Sequence, residues 1–176
     1  MSLNKRNIWV IRQNNGGHTN QSFMKKFNID YGTIICPWGI FGESRSCIID
    51  RHYNENNPSW SSGGQDRMFV ENINIGDILV IMYSKIKECV IAEVVSDVNF
   101  EKSTDLKISE LKKEDGKASY IISEEGEFEF RPITRDIRII RDNVMFTDKR
   151  RLGTMKTLVK ITNDEHKKNI MDYVDK

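Results

Sequence analysis

The stretch that decides the fold is Ile78 to Val98, ILVIMYSKIKECVIAEVVSDV. Ile78 to Tyr83 is a continuous apolar run, and Cys89 to Val98 is a second, largely apolar segment. The short polar connection SKIKE separates them. Together the two segments read as a β-hairpin or meander. Just upstream, Ile75-Gly76-Asp77 reads as a tight turn. Before it, Gln65 to Ile73 (QDRMFVENI) reads as a helix with Met68, Phe69 and Ile73 on one stripe.

Working outward, Ile8 to Arg12 (IWVIR) is a short aromatic and β-branched strand. Gln13 to His18 (QNNGGH) is a turn cluster. Thr19 or Asn20 caps a helix to about Asn28, with Phe23 and Phe27 one turn apart. Gly32 to Trp38 (GTIICPW) is a second strand, stopped by Pro37 and Gly39. Gly42 to Gly64 is polar and rich in Ser, Asn and Gly, and reads as a long surface loop, of the length that usually carries function or disorder. Glu101 to Lys117 is highly charged and reads as exposed. Tyr120 to Ile122, Phe128 to Ile133, Asp136 to Ile140 and Thr157 to Ile161 read as short strands. Asn163 or Asp164 caps a last helix to about Val174. The expected fold class is α+β: a small curved, mostly antiparallel β-barrel with flanking short helices. The expected organisation is a tail over residues 1–7, where Met1-Ser2-Leu3 is compatible with a cloning remnant, one domain over 8–162, and a helix over 163–176.

Composition narrows the function. The chain has 176 residues, 38% hydrophobic and 30% charged, which fits one globular domain able to bury its own core. With 27 Lys and Arg against 26 Asp and Glu, the net charge of +1 excludes a bulk polycation. Residues 131–160 nevertheless hold nine basic residues against three acidic, a local +6. Arg131, Arg135, Arg138, Lys149, Arg150 and Arg151 are the candidate phosphate contacts there, weighed against an ordinary solvated face. No apolar run approaches the roughly 20 residues a spanning helix needs, so no membrane role is expected. Three widely spaced cysteines (Cys36, Cys47, Cys89) favour reduced thiols and an intracellular location, cytoplasmic or nucleoid-associated.

Catalytic signatures are missing. There is no phosphate loop, dinucleotide fingerprint, CxxC, HExxH or GxSxG. Cys47 and His52 have no matching ligand pair, so no metal and no cofactor is expected. A Cys–His nucleophile drawn from Cys36 or Cys47 with His18 or His52 has no local support. What is present is aromatic. Trp9 sits within the first strand, where core packing is favoured. Trp38 ends the second strand, and Trp60 and Tyr53 lie in the polar loop. Aromatics at strand ends and in loops are what base stacking uses, at about 1–3 kcal/mol per base. Arg12 and Asn14 follow the first strand and offer hydrogen bonds to a base edge or a phosphate. Trp38, Arg12, Asn14, Trp60 and Tyr53 together form the candidate base pocket. Trp38 as a hydrophobic plug and Trp60 as a loop anchor are the competing assignments.

These residues also carry a family resemblance. Ile8-Trp9-Val10-Ile11-Arg12, then Gly16-Gly17 and Phe23, resembles a WVIRAG…GG…F opening. Gly32 to Gly39 is similar to a GIVAIGWG strand, Gln65 to Asp77 to Q…RFVNEIKIGD, and Arg131 to Ile140 and Leu152 to Ile161 to the closing strands. Over about residues 8 to 161 the chain resembles the PUA-like, EVE- and YTH-related module found at the N-terminus of type IV and Mrr-like restriction proteins. Cys36-Pro37 and Ala92-Glu93 depart from its pattern. The resemblance implies a small barrel that binds DNA or RNA and reads a modified base flipped into an aromatic pocket. Trp38, Arg12 and Asn14 would sit near that pocket. The nuclease or motor domain that usually follows is not in this chain, so cleavage is expected to belong to a separate partner. The competing functions are a small PUA- or ASCH-like nuclease, and a protein-interaction domain, for instance an inhibitor or decoy for restriction systems.

Overall fold

A computed structural model describes residues 6–13, 21–36, 67–83, 86–99, 133–146 and 158–176. Six strands form one sheet. In chain order they are β1 (Ile8–Arg12), β2 (Thr33–Ile35), β3 (Ile78–Tyr83), β4 (Ile86–Val94), β5 (Thr134–Val144) and β6 (Leu158–Lys160). Helix α1 (Gln21–Tyr31) lies between β1 and β2, and α2 (Asp164–Val174) ends the chain. The spatial order is β2-β5-β4-β3-β1-β6. The central hairpin is as expected, with β3 and β4 antiparallel, Ile78 opposite Glu93 and Tyr83 opposite Ile86. The sheet is mixed, however, because β1 pairs with β3 in parallel, Ile8 opposite Ile78 through Arg12 opposite Met82. Parallel neighbours need a long crossover, and residues 13–77 supply it. Among the described residues β2 and β6 are the outer strands, and the sheet curls into a half-barrel, compatible with the small α+β barrel expected.

Every residue of β3 is buried. Its side chains alternate between two cores. Leu79, Ile81 and Tyr83 join Trp9, Ile11, Met24 and Phe27 on one face. Ile78, Val80 and Met82 join Ile8, Val10, Cys89 and Ile170 on the other. Helix α1 thus covers the first face and α2 the second. At about 1.5–3 kcal/mol per fully buried large aliphatic side chain, β3 is the strongest single contributor to burial in the sheet.

The sheet curls. Between Cys89 and Ile91, β4 advances two residues while β5 runs from Val144 to Arg141, three residues. From Ile91 to Ala92 β4 advances one residue while β5 runs from Arg141 to Ile139, two residues. Each extra residue on β5 is a bulge that bends it, which is how β5 extends well past the Asp136–Ile140 expected. The curl brings the far edge back to β1: Gln13 at the end of β1 donates from Nε2 to the carbonyl of Ile35 in β2, at 2.8 Å.

Local signals explain the helix ends. α1 passes its expected stop at Asn28 because that carboxamide is committed to the interior. It ends at Gly32, whose φ of +56° is the left-handed conformation a helix C-terminus favours. A Cβ there would lie 3.0 Å from the Ile137 carbonyl oxygen. Asn163 caps α2 by accepting from the His166 N–H at 3.0 Å. The expected helix at 65–73 is described from Arg67 onward and is π-helical over Met68–Asn72, closed by Ile73 N–H donating to the Met68 carbonyl. It places Phe69, Val70 and Ile73 in the first core. The turn that follows has Asp77 N–H donating to Asn74 O, and Gly76 at φ +91°, the glycine position of a type II turn. The expected loop 42–64, the charged segment 101–117 and the strands at 120–122 and 128–132 lie outside the described residues, as does the Phe23 side chain.

Asp77, 4% exposed, joins these parts. Its carboxylate accepts from Trp9 Nε1 at 2.9 Å, Asn74 N–H at 3.0 Å and Asn7 N–H at 3.1 Å. Replacing it orphans three donors in or near the core, each at about 1–3 kcal/mol. Asp77→Leu is expected to lower unfolding free energy by at least ~3 kcal/mol, read from the urea midpoint.

Candidate functional site

The ends of β1, β2 and β3 meet in one region. Gln13 N–H donates to Met82 O at 3.0 Å, continuing the β1–β3 ladder one step past β1. Cys36 N–H donates to Ile133 O at 2.8 Å. With Cys36 bonded toward β5, alternation turns the carbonyls of Thr33 and Ile35 away from β5, toward the free edge of β2. Two side-chain amides meet them. Asn28 Nδ2 donates to Thr33 O at 2.8 Å, and Gln13 Nε2 donates to Ile35 O at 2.8 Å. Tyr83 Oη donates to Asn28 Oδ1 at 2.8 Å, which completes the Asn28 carboxamide. Among the described residues, the partners on this side of β2 are carboxamides.

The Gln13 carboxamide is not complete. The residue is 1% exposed, yet its Oε1 has no hydrogen-bond partner. Thr134 Oγ1, on the residue paired with Ile35, is the second such atom among the described residues. A buried acceptor left open costs about 1–3 kcal/mol and calls for an explanation.

Of the expected pocket residues, Arg12 is partly buried at this end of β1. Asn14, one residue beyond Gln13, lies outside the described residues. So do Trp38, two residues beyond Cys36, and Tyr53 and Trp60. Trp9 is a core residue, as its strand position indicated. Its indole N–H is bound by Asp77 and the Lys160 ammonium lies 5.7 Å from its ring centroid.

Two of the expected phosphate contacts are described, and each has its guanidinium engaged elsewhere. Arg135 is 2% exposed. Its Nε donates to Phe69 O at 3.0 Å, Nη2 to Val70 O at 2.8 Å and Nη1 to Ser96 O at 3.3 Å, and the guanidinium lies 5.8 Å from the Phe69 ring centroid. It holds the π-turn against the sheet by binding carbonyls of its last turn, which have no partner within the helix. Burial lowers its pKa, and the neighbouring Asp97 and Asp77 oppose that shift; an arginine stays charged throughout. The spacing Ile133, Arg135, Ile137 was the available signal, since alternation puts Arg135 in phase with two inward residues. Arg138 is exposed and pairs with Glu93, which also faces Arg6 at 3.9 Å. Arg138 shares a row with Glu93, Ile78 and Ile8. Arg12 is four residues further along β1, about 13 Å at ~3.3 Å per residue. Arg131, Lys149, Arg150 and Arg151 lie outside the described residues.

Among the described residues no group of three His, Cys, Asp or Glu is placed to hold a metal ion, and no helix is long and apolar enough to cross a membrane. Cys36 and Cys89 are buried.

No family model matches the chain, and no curated protein matches it. Among solved structures, a hypothetical protein from Leishmania major matches over 97% of this chain and 96% of its own, at 10% identity and a TM-score of 0.44. The YTH domain of the Zygosaccharomyces rouxii MRB1 protein, in complex with N6-methyladenosine RNA, matches over 97% of this chain and 88% of its own, at 14% identity and a TM-score of 0.43. TM-scores below 0.5 leave a shared fold unestablished.

Two measurements check this electrostatic assignment. Arg135→Met is expected to cost about 3 kcal/mol of stability by orphaning buried carbonyls, while Arg138→Ala stays within about 0.5 kcal/mol, both by urea denaturation. Burial, with Cys89 nearby, raises the Tyr83 phenol above its ordinary value. The unfolded chain then releases this proton first, so the contribution is complete below about pH 10 and is lost as pH rises beyond it. Tyr83→Phe is expected to flatten the alkaline limb of the stability–pH curve.

Proposed function

We propose that this chain is a nucleic-acid-binding module that takes a base at the end of β1, with preference for a modified base, and has no catalysis of its own. The observation that carries this is the Gln13 carboxamide: tied down by its donor, buried, and with its acceptor unfilled. An N–H on a base edge is the kind of group that would fill it. The chain continues from this spot into Asn14, and from neighbouring Cys36 toward Trp38, the residue types that hydrogen-bond and stack on a base. The resemblance of residues 8–161 to PUA-like, EVE- and YTH-related modules agrees with this. It extends the proposal to a restriction-linked role beside a separate nuclease or motor protein inside the cell. In this reading Arg138 and the basic residues at 131 and 149–151 supply phosphate contacts away from the base.

The test is fluorescence polarisation against single- and double-stranded DNA and RNA. The oligonucleotides are unmodified or carry N6-methyladenine, 5-methylcytosine or 5-hydroxymethylcytosine. A preference of tenfold or more, about 1.4 kcal/mol, for one modified base is expected. Trp38→Ala should abolish that preference without changing the melting temperature. Absence of binding, or binding blind to modification, overturns the reading. Product formation from labelled RNA or DNA would replace it with the nuclease reading.

A further inference from the structure

Helix α1 has a second face. Met24, Phe27 and Asn28 enter the core. Ser22, Lys25, Lys26, Ile29 and Asp30 recur three and four residues apart on one stripe, and with Ile86 at the start of β4 they line a surface groove of about 410 Å³. Its floor is apolar, since Ile29 and Ile86 pack against the first core. Its N-terminal half is cationic. Lys25 Nζ is held 3.1 Å from the Asn143 Oδ1 of β5, a neutral acceptor that leaves the charge uncompensated. Among the described residues neither Lys25 nor Lys26 is in a salt bridge.

We propose that this groove carries the phosphate backbone next to the base bound at the end of β1, an assignment that rests on the nucleic-acid reading above. Position is the first reason. Ile86 is opposite Tyr83, one step beyond the row of Arg12 and Met82, so the groove opens at the same end of the sheet as Gln13. From β1 across β3 to β4 is two strand spacings, about 10 Å, the reach of a neighbouring nucleotide or two. Charge is the second. Two ammonium groups suit phosphate, and the Ser22 hydroxyl adds a donor. Ile29 and Ile86 offer an apolar floor to the sugar. Asp30 closes the far end with a negative charge, which limits the groove to one or two phosphates. Lysines bind phosphate as point charges, so this contact positions the strand and carries no sequence or modification preference.

The experiment compares wild type, Lys25→Gln/Lys26→Gln and a control, Lys167→Gln/Lys168→Gln on α2, which packs on the opposite face of the sheet. Each is titrated by fluorescence polarisation with single-stranded RNA and DNA over a salt series, and melting temperatures check folding. In the α1 variant the slope of log affinity against log salt should flatten by about 0.7 to 1.4, at ~0.7 per phosphate on a single strand. Affinity should fall equally for modified and unmodified strands, and the α2 variant should match wild type. A folded α1 variant with wild-type slope and affinity overturns the groove assignment alone. So does one that loses modification preference with its slope intact. A wild type that binds no nucleic acid overturns the underlying reading, and the groove with it.

Discussion

The buried carboxylate of Asp77 stands immediately before β3, and it fixes where that strand begins. It binds the indole of Trp9 in β1 and the backbone N–H groups of Asn7 and Asn74. A carboxylate excluded from water must be satisfied by such donors. Once they are in place, β1 is held in parallel register on β3 and the turn at Gly76 is closed. Since β3 is buried on both faces, a register slip would send each of its side chains to the wrong core. Arg135 is the counterpart at the other side of the first core. It spends its donors on the carbonyls of the π-turn and Ser96, and so fastens the element that precedes β3 to the strand that follows β4. The two charges are not in contact, but each lies in the other's field.

This scaffold leaves one margin weakly built. The edge strand β2 is three residues long and turns two carbonyls toward β1 and α1. Carboxamides from Gln13 and Asn28 close the margin where a paired strand would have closed it fully. A strand would have used every polar group along the edge; the carboxamides leave the Gln13 acceptor over. The curl of the sheet, produced by the bulges on β5, delivers that acceptor to the point where two chain segments leave the sheet. The exposed stripe of α1 runs alongside this margin.

Much of this was legible in the sequence. Apolar runs located β1, β3 and β4, and the Asn163-Asp164 pair located α2, because these signals are local. The parallel pairing of β1 was not legible, since nothing local in Ile8–Arg12 reports which neighbour it takes. Trp9 was placed in the core from its strand position. Arg135 was drawn into a surface patch by its charged neighbours, although its alternation with Ile133 and Ile137 pointed inward. Charge density along a chain reports composition, and the two-residue period reports direction; at Arg135 the period decides. Lys25 and Lys26 went unnoticed because two lysines make no cluster until Ile86 and Asn143 are brought against them. Gln13 read as part of a turn, and its buried, half-filled state depends on Ile35, 22 residues away.

The claim that joins these features is that a base is bound at the end of β1. The most direct test is the location of binding, by an amide and indole NMR titration of the whole chain with a short modified oligonucleotide. The account predicts shifts concentrated at Arg12, Gln13, Cys36 and α1, together with the Trp38 indole, while the Trp9 indole on Asp77 stays fixed. Shifts centred on α2, or on the row of Arg138 and Glu93 with the Gln13 side-chain amide unmoved, would contradict it.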